Sequence, residues 1–406
     1  MRLIYITAAL PFGQHEESFF IPELSEILSR GHKILLVPRY GRGNVDEKLK
    51  DLSLDIAENR IFSWRIFMYA SLEMIRSPWK IACVAKEIIL CGSFPTRIKN
   101  LIVFPKGLYV AHLAKQWSAD HIHAQWASTM ATIGWIAHEL SGVPWSFTAH
   151  RGDIVSSNLF FAKAGSAKLV RFISESGMAL AENIRCESSE YKKRVIHMGV
   201  ELPLNSSPLH VHTSVKCILC AANLIPVKGH KYLIHALRIL NDRGIECRLS
   251  LAGRGCLESE LKRQVQAFGL KDRVRFLGQL RHSDLLALYR AGQIDLFVLA
   301  SIDIGRGIHE GIPVSLLEAM AHRIPVIATS TGGIPEILEG GAGIMVPHSD
   351  AAALADAIRR ILNDEKLWME LSQKGRMRIE QAFNVKQTTG EFLACIDPQN
   401  AEKVKK

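Results

Sequence analysis

Apolar residues in this chain fall into two kinds of short block. One kind is an unbroken run rich in β-branched and aromatic residues, such as "RLIYITA", "HKILLVPR" and "DLFVLAS". Such runs predict strands buried on both faces. The other kind repeats at helical spacing, as in "FIPELSEILSRG", "HKYLIHALRILNDRG" and "DAAALADAIRRILND". These predict amphipathic helices. The two kinds alternate along the chain, which is the signature of β-α-β units and parallel sheets. The stretch Glu201–Ser214, "ELPLNSSPLHVHTS", breaks the alternation with two prolines and no period, and reads as a linker. The alternation restarts at "VKCILCAAN". The pattern therefore predicts an α/β protein of two doubly wound domains. Ligands of such sheets bind outside the carboxyl ends of the strands, so two facing domains would leave a cleft.

Length agrees with this division, since 406 residues exceed what one core usually supports. Charge adds something new. A net charge of +10 favours an anionic partner: nucleotide, nucleic acid or acidic lipid. The eight cysteines are scattered. Only Cys217 and Cys220 are close, and they sit inside an apolar run with no second Cys/His pair at zinc spacing, so they read as core packing. Their pattern suits a reducing compartment. The first residues, "MRLIYITAALPFG", read as a strand and turn rather than a signal peptide. No apolar run is long enough to predict a membrane-spanning helix. Residues 61–110 differ from the rest. Trp64, Phe67, Trp79, Phe94 and Phe104 stand there among seven Lys/Arg and two Glu. That composition suits either an anionic membrane surface or a core-covering helix pair with a basic rim.

The stretch from His309 to Ile337, "HEGIPVSLLEAMAHRIPVIATSTGGIPEI", concentrates candidate chemistry. Pro313 suits the first turn of a helix. Gly311, Ile312 and Val314 would then offer free N–H groups to an anion or to sugar oxygens. Glu310 precedes the helix and Glu318 lies within it, so the two need not touch. Each can accept hydrogen bonds from vicinal hydroxyls. Gly332 and Gly333 would let backbone approach a ligand. Lys228, in "ANLIPVKGH", follows a strand end and could meet a phosphate. Taken singly, each of these residues is common in an ordinary helix or loop.

Together, the motifs resemble the retaining glycosyltransferases of GT-B fold numbered family four. "EGIPVSLLEAMA" matches that family's E-x7-E motif, followed by "IPVIATSTGGIPEI"; "PVKGHKYLIHAL", "SLAGRGCLESEL", "FTAHRGDI" and "VIHMGVE" match in order. "LPFGQHEESFFIPEL" resembles the branch acting in exopolysaccharide and lipopolysaccharide assembly. The resemblance implies two Rossmann-like domains facing a cleft. Residues 1–205 would form the acceptor-side domain and 206–385 the nucleotide-sugar domain, with a C-terminal helix at about 386–406 packing back on the first. Glu310 would bind the donor sugar's hydroxyls, with the backbone of Gly311, Ile312, Pro313 and Val314 beside it. Glu318 would hold the ribose, Lys228 the diphosphate, and the backbone at Gly278 the base. His150 would reach the reacting sugar, and Gly13 belongs to the loop facing the diphosphate. His123 is a weaker candidate, His309 a neighbour of Glu310, and Asp153 a cap.

The chain departs from the family at three places. Asn223 stands where an arginine is usual, which leaves Lys228 as the main cation; Arg306 could substitute. Arg323 occupies a helix end that often holds glycine. Arg151 replaces a common glycine beside His150.

The expected activity is transfer of a hexose from a UDP- or GDP-linked sugar to a glycan or lipid-linked saccharide, with retention, in surface polysaccharide assembly. No cofactor and no metal are expected, since no D-x-D motif stands in a suggestive context. No nucleic acid is expected as partner. The expected location is cytoplasmic, peripheral to the inner face of the cell membrane. A sugar-nucleotide epimerase or sugar-phosphate synthase shares the fold expectation. A dinucleotide oxidoreductase needs G-x-G-x-x-G, and the nearest stretch, "LAGRGCLE", has Glu258 at the third position. A non-enzymatic membrane-binding module would explain the charge but not the glutamate pair.

Overall fold

The structure is a computed structural model that describes residues 1–12, 17–41, 43–57, 60–90, 92–184, 191–203, 215–305 and 307–397. The chain divides into two compact units, Met1–His197 with Lys386–Lys406, and Met198–Val385. Most of the expected linker, residues 204–214, lies outside the described residues, as do Gly13 and Arg306.

The first unit is built on a parallel sheet. Its strands are β1 (Arg2–Thr7), β2 (Lys33–Pro38), β3 (Asp55–Ile56), β4 (His121–Ala124), β5 (Trp145–Ala149), β6 (Leu169–Phe172) and β7 (Lys193–Val195), in the order β3-β2-β1-β4-β5-β6-β7. The N-terminal run is therefore an inner strand. Side chains alternate between faces along it. Ile4 and Ile6 join the core formed with the helices Phe94–Gln116 and Thr129–Ser141, while Leu3 and Tyr5 join a second core with Leu24, Ile27, Phe392 and Ile396. The helix Val385–Ile396 thus covers one face of the first sheet. On the other face the two long helices cross closely at Gly107, where a Cβ would stand 2.8 Å from Ile136. Residues 61–110 form three helices rather than a pair: Trp64–Arg76, Pro78–Leu90 and the start of Phe94–Gln116.

The second unit repeats the plan with β8 (Lys216–Ala221), β9 (Cys247–Ala252), β10 (Val274–Gly278), β11 (Leu296–Leu299), β12 (Val326–Thr329) and β13 (Ile344–Val346), in the order β10-β9-β8-β11-β12-β13. Every strand pairing in both sheets is parallel. The order reverses between β1 and β4 in one sheet and between β8 and β11 in the other. A doubly wound sheet opens its ligand crevice at such switch points. Cys217 and Cys220 lie on β8 as free thiols, and burial pushes Cys220 up to about 12, which suits packing rather than reactivity. Arg323 follows the helix Val314–Ala321 with φ +61, the left-handed conformation that glycine adopts at lower cost.

Five buried histidines make stability depend on pH. In the first unit burial holds His121 and His150 down to about 3 and His123 well below its usual value; in the second, burial holds His230 and His322 down to about 4. The unfolded chain protonates these rings below about pH 6.5 while the folded chain does not. Stability is therefore lost as pH falls from 6.5 toward 4, because the unfolded chain takes up protons that the buried rings do not. Burial raises the Asp153 carboxyl to about 6, a smaller opposing effect. Thermal melts of the full chain across pH 7 to 4 check this, and a flat profile would contradict it.

Candidate functional site

The loops leaving β8 and β11 carry the central group of the second unit. Lys228 sits in the short turn Pro226–Lys228 after β8, and its Nζ donates to Glu310 Oε2 at 2.5 Å. Ser301, just beyond β11, donates its Oγ to the same oxygen at 3.0 Å. The Glu310 side chain is nearly buried. Burial alone would raise its carboxyl; the Lys228 charge and hydrogen bonds from Lys228, Ser301 and the Gly311 N–H outweigh that and hold it below the usual carboxylate range. Lys228 keeps two further N–H donors for an anion.

Two glycines allow this assembly. Gly229 has φ +62, and a Cβ there would stand 1.9 Å from the Ala300 carbonyl oxygen. Gly332 has φ +57, and its Cβ would stand 1.8 Å from the Glu310 carbonyl oxygen. The Gly332 and Gly333 turn therefore makes room for the loop holding Glu310 and Ile312. His309 fits the same junction, its Nδ1 pairing with the Glu310 carbonyl at 2.9 Å.

The helix after Glu310 runs Val314–Ala321. Pro313 is its N-cap, extended at φ −75 and ψ 107, and not a first helical residue as expected. The Gly311 N–H is not free either, because it supports Glu310. The N–H groups of Val314 and Ser315 open the helix and have no intrahelical acceptor. Glu318 is buried and pairs through Oε1 with His282 Nε2 at 2.5 Å. The two glutamates thus have separate partners. Gly278 ends β10 at φ +69, and its missing side chain leaves space beside the exposed Arg254, whose Nε would lie 3.8 Å from a Cβ. Asn223 is exposed on the β8 loop. Lys228, Asn223, Arg254 and Gly278 all stand at the carboxyl edge of one sheet, while His150 belongs to the other unit.

In the first unit, His150 follows β5 as N-cap of the helix Arg151–Ser156. Its ring lies on Trp126 with centroids 4.1 Å apart. Burial, then the Arg171 charge, keep the imidazole neutral, against a hydrogen bond to the Gln125 backbone. Its Nε2 is buried without a partner. Asp153 reaches back to the His150 backbone and also accepts from the Ala127 N–H at 3.0 Å, so it both caps its helix and ties down the β4 loop. His123 is fully buried, with Nδ1 on Ser146 Oγ at 2.8 Å and Nε2 on Thr148 Oγ1 at 3.0 Å, which leaves neither ring nitrogen for a substrate.

Four supporting residues escaped the sequence reading. Glu17 accepts from the N–H groups of Ala8, Ala9 and Leu10 at 3.1, 2.7 and 2.8 Å, and from Trp126 Nε1 at 2.6 Å. It shapes the β1 loop and holds the ring that carries His150. Lys163 is buried, donates to the Ala127 and Ser128 carbonyls at 2.7 and 3.0 Å, and is lowered by burial to about 7. Ser301 and His282 hold the two glutamates. Nothing local marks these four, since each gains its role from a partner outside its own helix or strand. Among the described residues no group of three or more His, Cys, Asp or Glu could hold a metal ion.

Residues 207–378 match the family model described as glycosyl transferases group 1. The chain is 33% identical over 196 residues to an amylovoran biosynthesis glycosyltransferase, AmsK, of Erwinia amylovora, covering 48% of this chain and 47% of that protein. It is 32% identical over 168 residues to a GDP-mannose-dependent monoacylated alpha-(1-6)-phosphatidylinositol monomannoside mannosyltransferase of Corynebacterium glutamicum, covering 41% and 43%. The chain spans about half the length of the curated relatives it matches. Solved structures align over nearly the whole chain. A sucrose-phosphate synthase of Thermosynechococcus elongatus has a TM-score of 0.73 at 20% identity, covering 100% of this chain and 99% of that one. Anabaena Alr3699/HepE in complex with UDP-glucose has 0.69 at 19%, covering 99% of each. The chain has the GT-B fold, and over residues 207–378 its second unit is similar to the glycosyl transferases group 1 family.

Proposed function

We propose that this protein is a retaining glycosyltransferase. It moves a hexose from a UDP- or GDP-linked sugar to a glycan or lipid-linked saccharide in surface polysaccharide assembly, in the cytoplasm at the inner face of the cell membrane. The observation that carries the reading is the Lys228–Glu310–Ser301 group beside the N-terminus of the helix Val314–Ala321. It offers a cation and amides for a diphosphate next to a carboxylate for sugar hydroxyls. Relatives acting in amylovoran biosynthesis and on a phosphatidylinositol mannoside support the choice of acceptor.

In this reading the acceptor hydroxyl attacks the anomeric carbon on the face the diphosphate leaves. The bond to the leaving phosphate oxygen breaks as the new glycosidic bond forms, and that oxygen takes the acceptor's proton. Lys228 and the Val314 and Ser315 amides stabilise the charge on the leaving group. Glu310 accepts from the sugar hydroxyls and Glu318 from the ribose, each already oriented by its partner. His150 is neutral, and its free Nε2 serves a sugar hydroxyl. Asn223 adds no charge, so Lys228 is the chief cation for the diphosphate. The backbone at Gly278 lies toward the base. The transfer needs no metal.

Three measurements test the scheme. A screen of nucleotide sugars, read by mass shift on a lipid-linked saccharide mixture with NAD as control, should give transfer from a UDP- or GDP-sugar that survives excess chelator; turnover only of NAD would overturn it. Glu310→Ala should lower kcat by roughly a hundredfold, whereas Glu318→Ala should mainly raise the donor KM, by roughly tenfold. Equal and small effects would remove the division of roles. The rate should also show no step from His150 between pH 5 and 8, because its ring titrates at about 3. A step near pH 6.5 that vanishes in His150→Ala would contradict that.

A further inference from the structure

Three successive helices of the first unit turn apolar side chains to solvent. In Trp64–Arg76 the buried residues are Ile66, Ala70 and Glu73. Trp64, Met68, Leu72 and Ile75 lie roughly half a turn round and are exposed. Trp64 is 80% exposed and Ile75 79%. In Pro78–Leu90 the helix buries Val84 and Ile88 but exposes Trp79, Ile89 and Leu90. The next helix opens with Phe94, Ile98, Leu101 and Ile102, one exposed stripe at helical spacing, before its later turns bury themselves against Thr129–Ser141. An ordinary surface helix puts polar residues on its outer side. Exposed apolar surface concentrated like this marks an interaction site.

Charge selects the occupant. Between Ile61 and Phe104 stand Arg65, Arg76, Lys80, Lys86, Arg97 and Lys99, against only Glu73 and Glu87. Glu73 is buried and bound to Lys115 at 2.7 Å and Arg76 at 3.4 Å, so it presents no charge outward. A second copy offering the same face would set cations against cations. An anionic lipid surface matches both features. Indole and phenyl rings settle at the headgroup level, and Lys and Arg extend their charges to the phosphates while their stems stay in apolar surroundings. Among the described residues no helix is long and apolar enough to cross a membrane, so the contact would lie in the interface.

We propose that the outer face of these three helices docks on an anionic bilayer, with Trp64, Ile75, Trp79 and Phe94 at the headgroup–acyl boundary and Arg65, Lys86 and Lys99 on the lipid phosphates. The surface deepens the acceptor reading above, on which it rests only for the lipid-linked acceptor; docking itself needs no donor. The test is flotation of the full chain, without donor or acceptor, with vesicles of phosphatidylglycerol and phosphatidylcholine or of phosphatidylcholine alone. The chain should float with the anionic vesicles at low salt, with a blue shift of tryptophan emission, and not with the neutral ones. Trp64→Ser with Trp79→Ser should weaken binding at least about tenfold, and Lys86→Gln with Lys99→Gln by about fivefold per cation. Met377→Ser, an exposed site on the second unit, should leave it unchanged. Donor binding followed on the same preparations confirms that each variant is folded, and separates failure of docking from failure of the glycosyltransferase reading. Absence of binding to anionic vesicles would overturn the proposal. So would unchanged binding in both double variants, or a wild-type dimer that the tryptophan changes split into monomers.

Discussion

The second unit depends on backbone lying against backbone at the carboxyl edge of its sheet. Gly229 meets the carbonyl of Ala300, and Gly332 meets the carbonyl of Glu310. Neither approach has room for a Cβ, and both residues have positive φ. These contacts draw the loops after β8, β11 and β12 together and set Lys228, Ser301 and Glu310 within hydrogen-bond distance. A charged pair this nearly buried is costly unless its lone pairs and protons are satisfied. Here Ser301 and the Gly311 amide complete the carboxylate, while Lys228 keeps two further N–H donors. The group is thus held in one arrangement by its own contacts.

The first unit solves a related problem with side chains. Glu17 gathers three consecutive backbone N–H groups and the Trp126 indole. Beneath it, Glu23 binds Arg171 at 2.6 Å and Tyr5 at 2.7 Å, with Gln125 also on the Tyr5 hydroxyl at 2.6 Å. Asp153 and Lys163 fix the β4 loop from the other side. A buried network of this kind is stabilising only when every member is paired, and it then specifies one arrangement. Within it, His150 Nε2 stands out as a buried polar atom without a partner.

The basic character of the chain has two physical sources. One cation, Lys228, faces Glu310 at the carboxyl edge of the second sheet. Many others lie on the three helices from Trp64 to the start of Phe94–Gln116, beside exposed aromatic residues. The first is paired and nearly buried; of the second group, Arg65, Lys86 and Lys99 are exposed to solvent, while Arg76 pairs with Glu73 and Lys80 and Arg97 donate to backbone carbonyls. Net charge alone does not separate these two uses.

Much of the fold was legible in the chain. Runs such as "RLIYITA" and "DLFVLAS" became inner strands because a sheet covered on both faces needs apolar residues at every position. Glu310, Glu318 and Lys228 were also visible, because their motifs are local. Other features came only with tertiary structure. Whether Pro313 entered the helix or capped it depended on how the preceding loop was anchored. The role of Gly332 depended on which carbonyl lay opposite it. His282, Ser301, Glu17 and Lys163 acquired partners 36, 9, 109 and 36 residues away at their farthest. His123 looked like a candidate until the neighbouring strand β5 supplied hydroxyls to both its nitrogens. Sequence by itself determined the periodicity and the residue chemistry, since those are properties of neighbours in the chain. Partner, burial and protonation state were decided by tertiary structure, because they belong to neighbours in space.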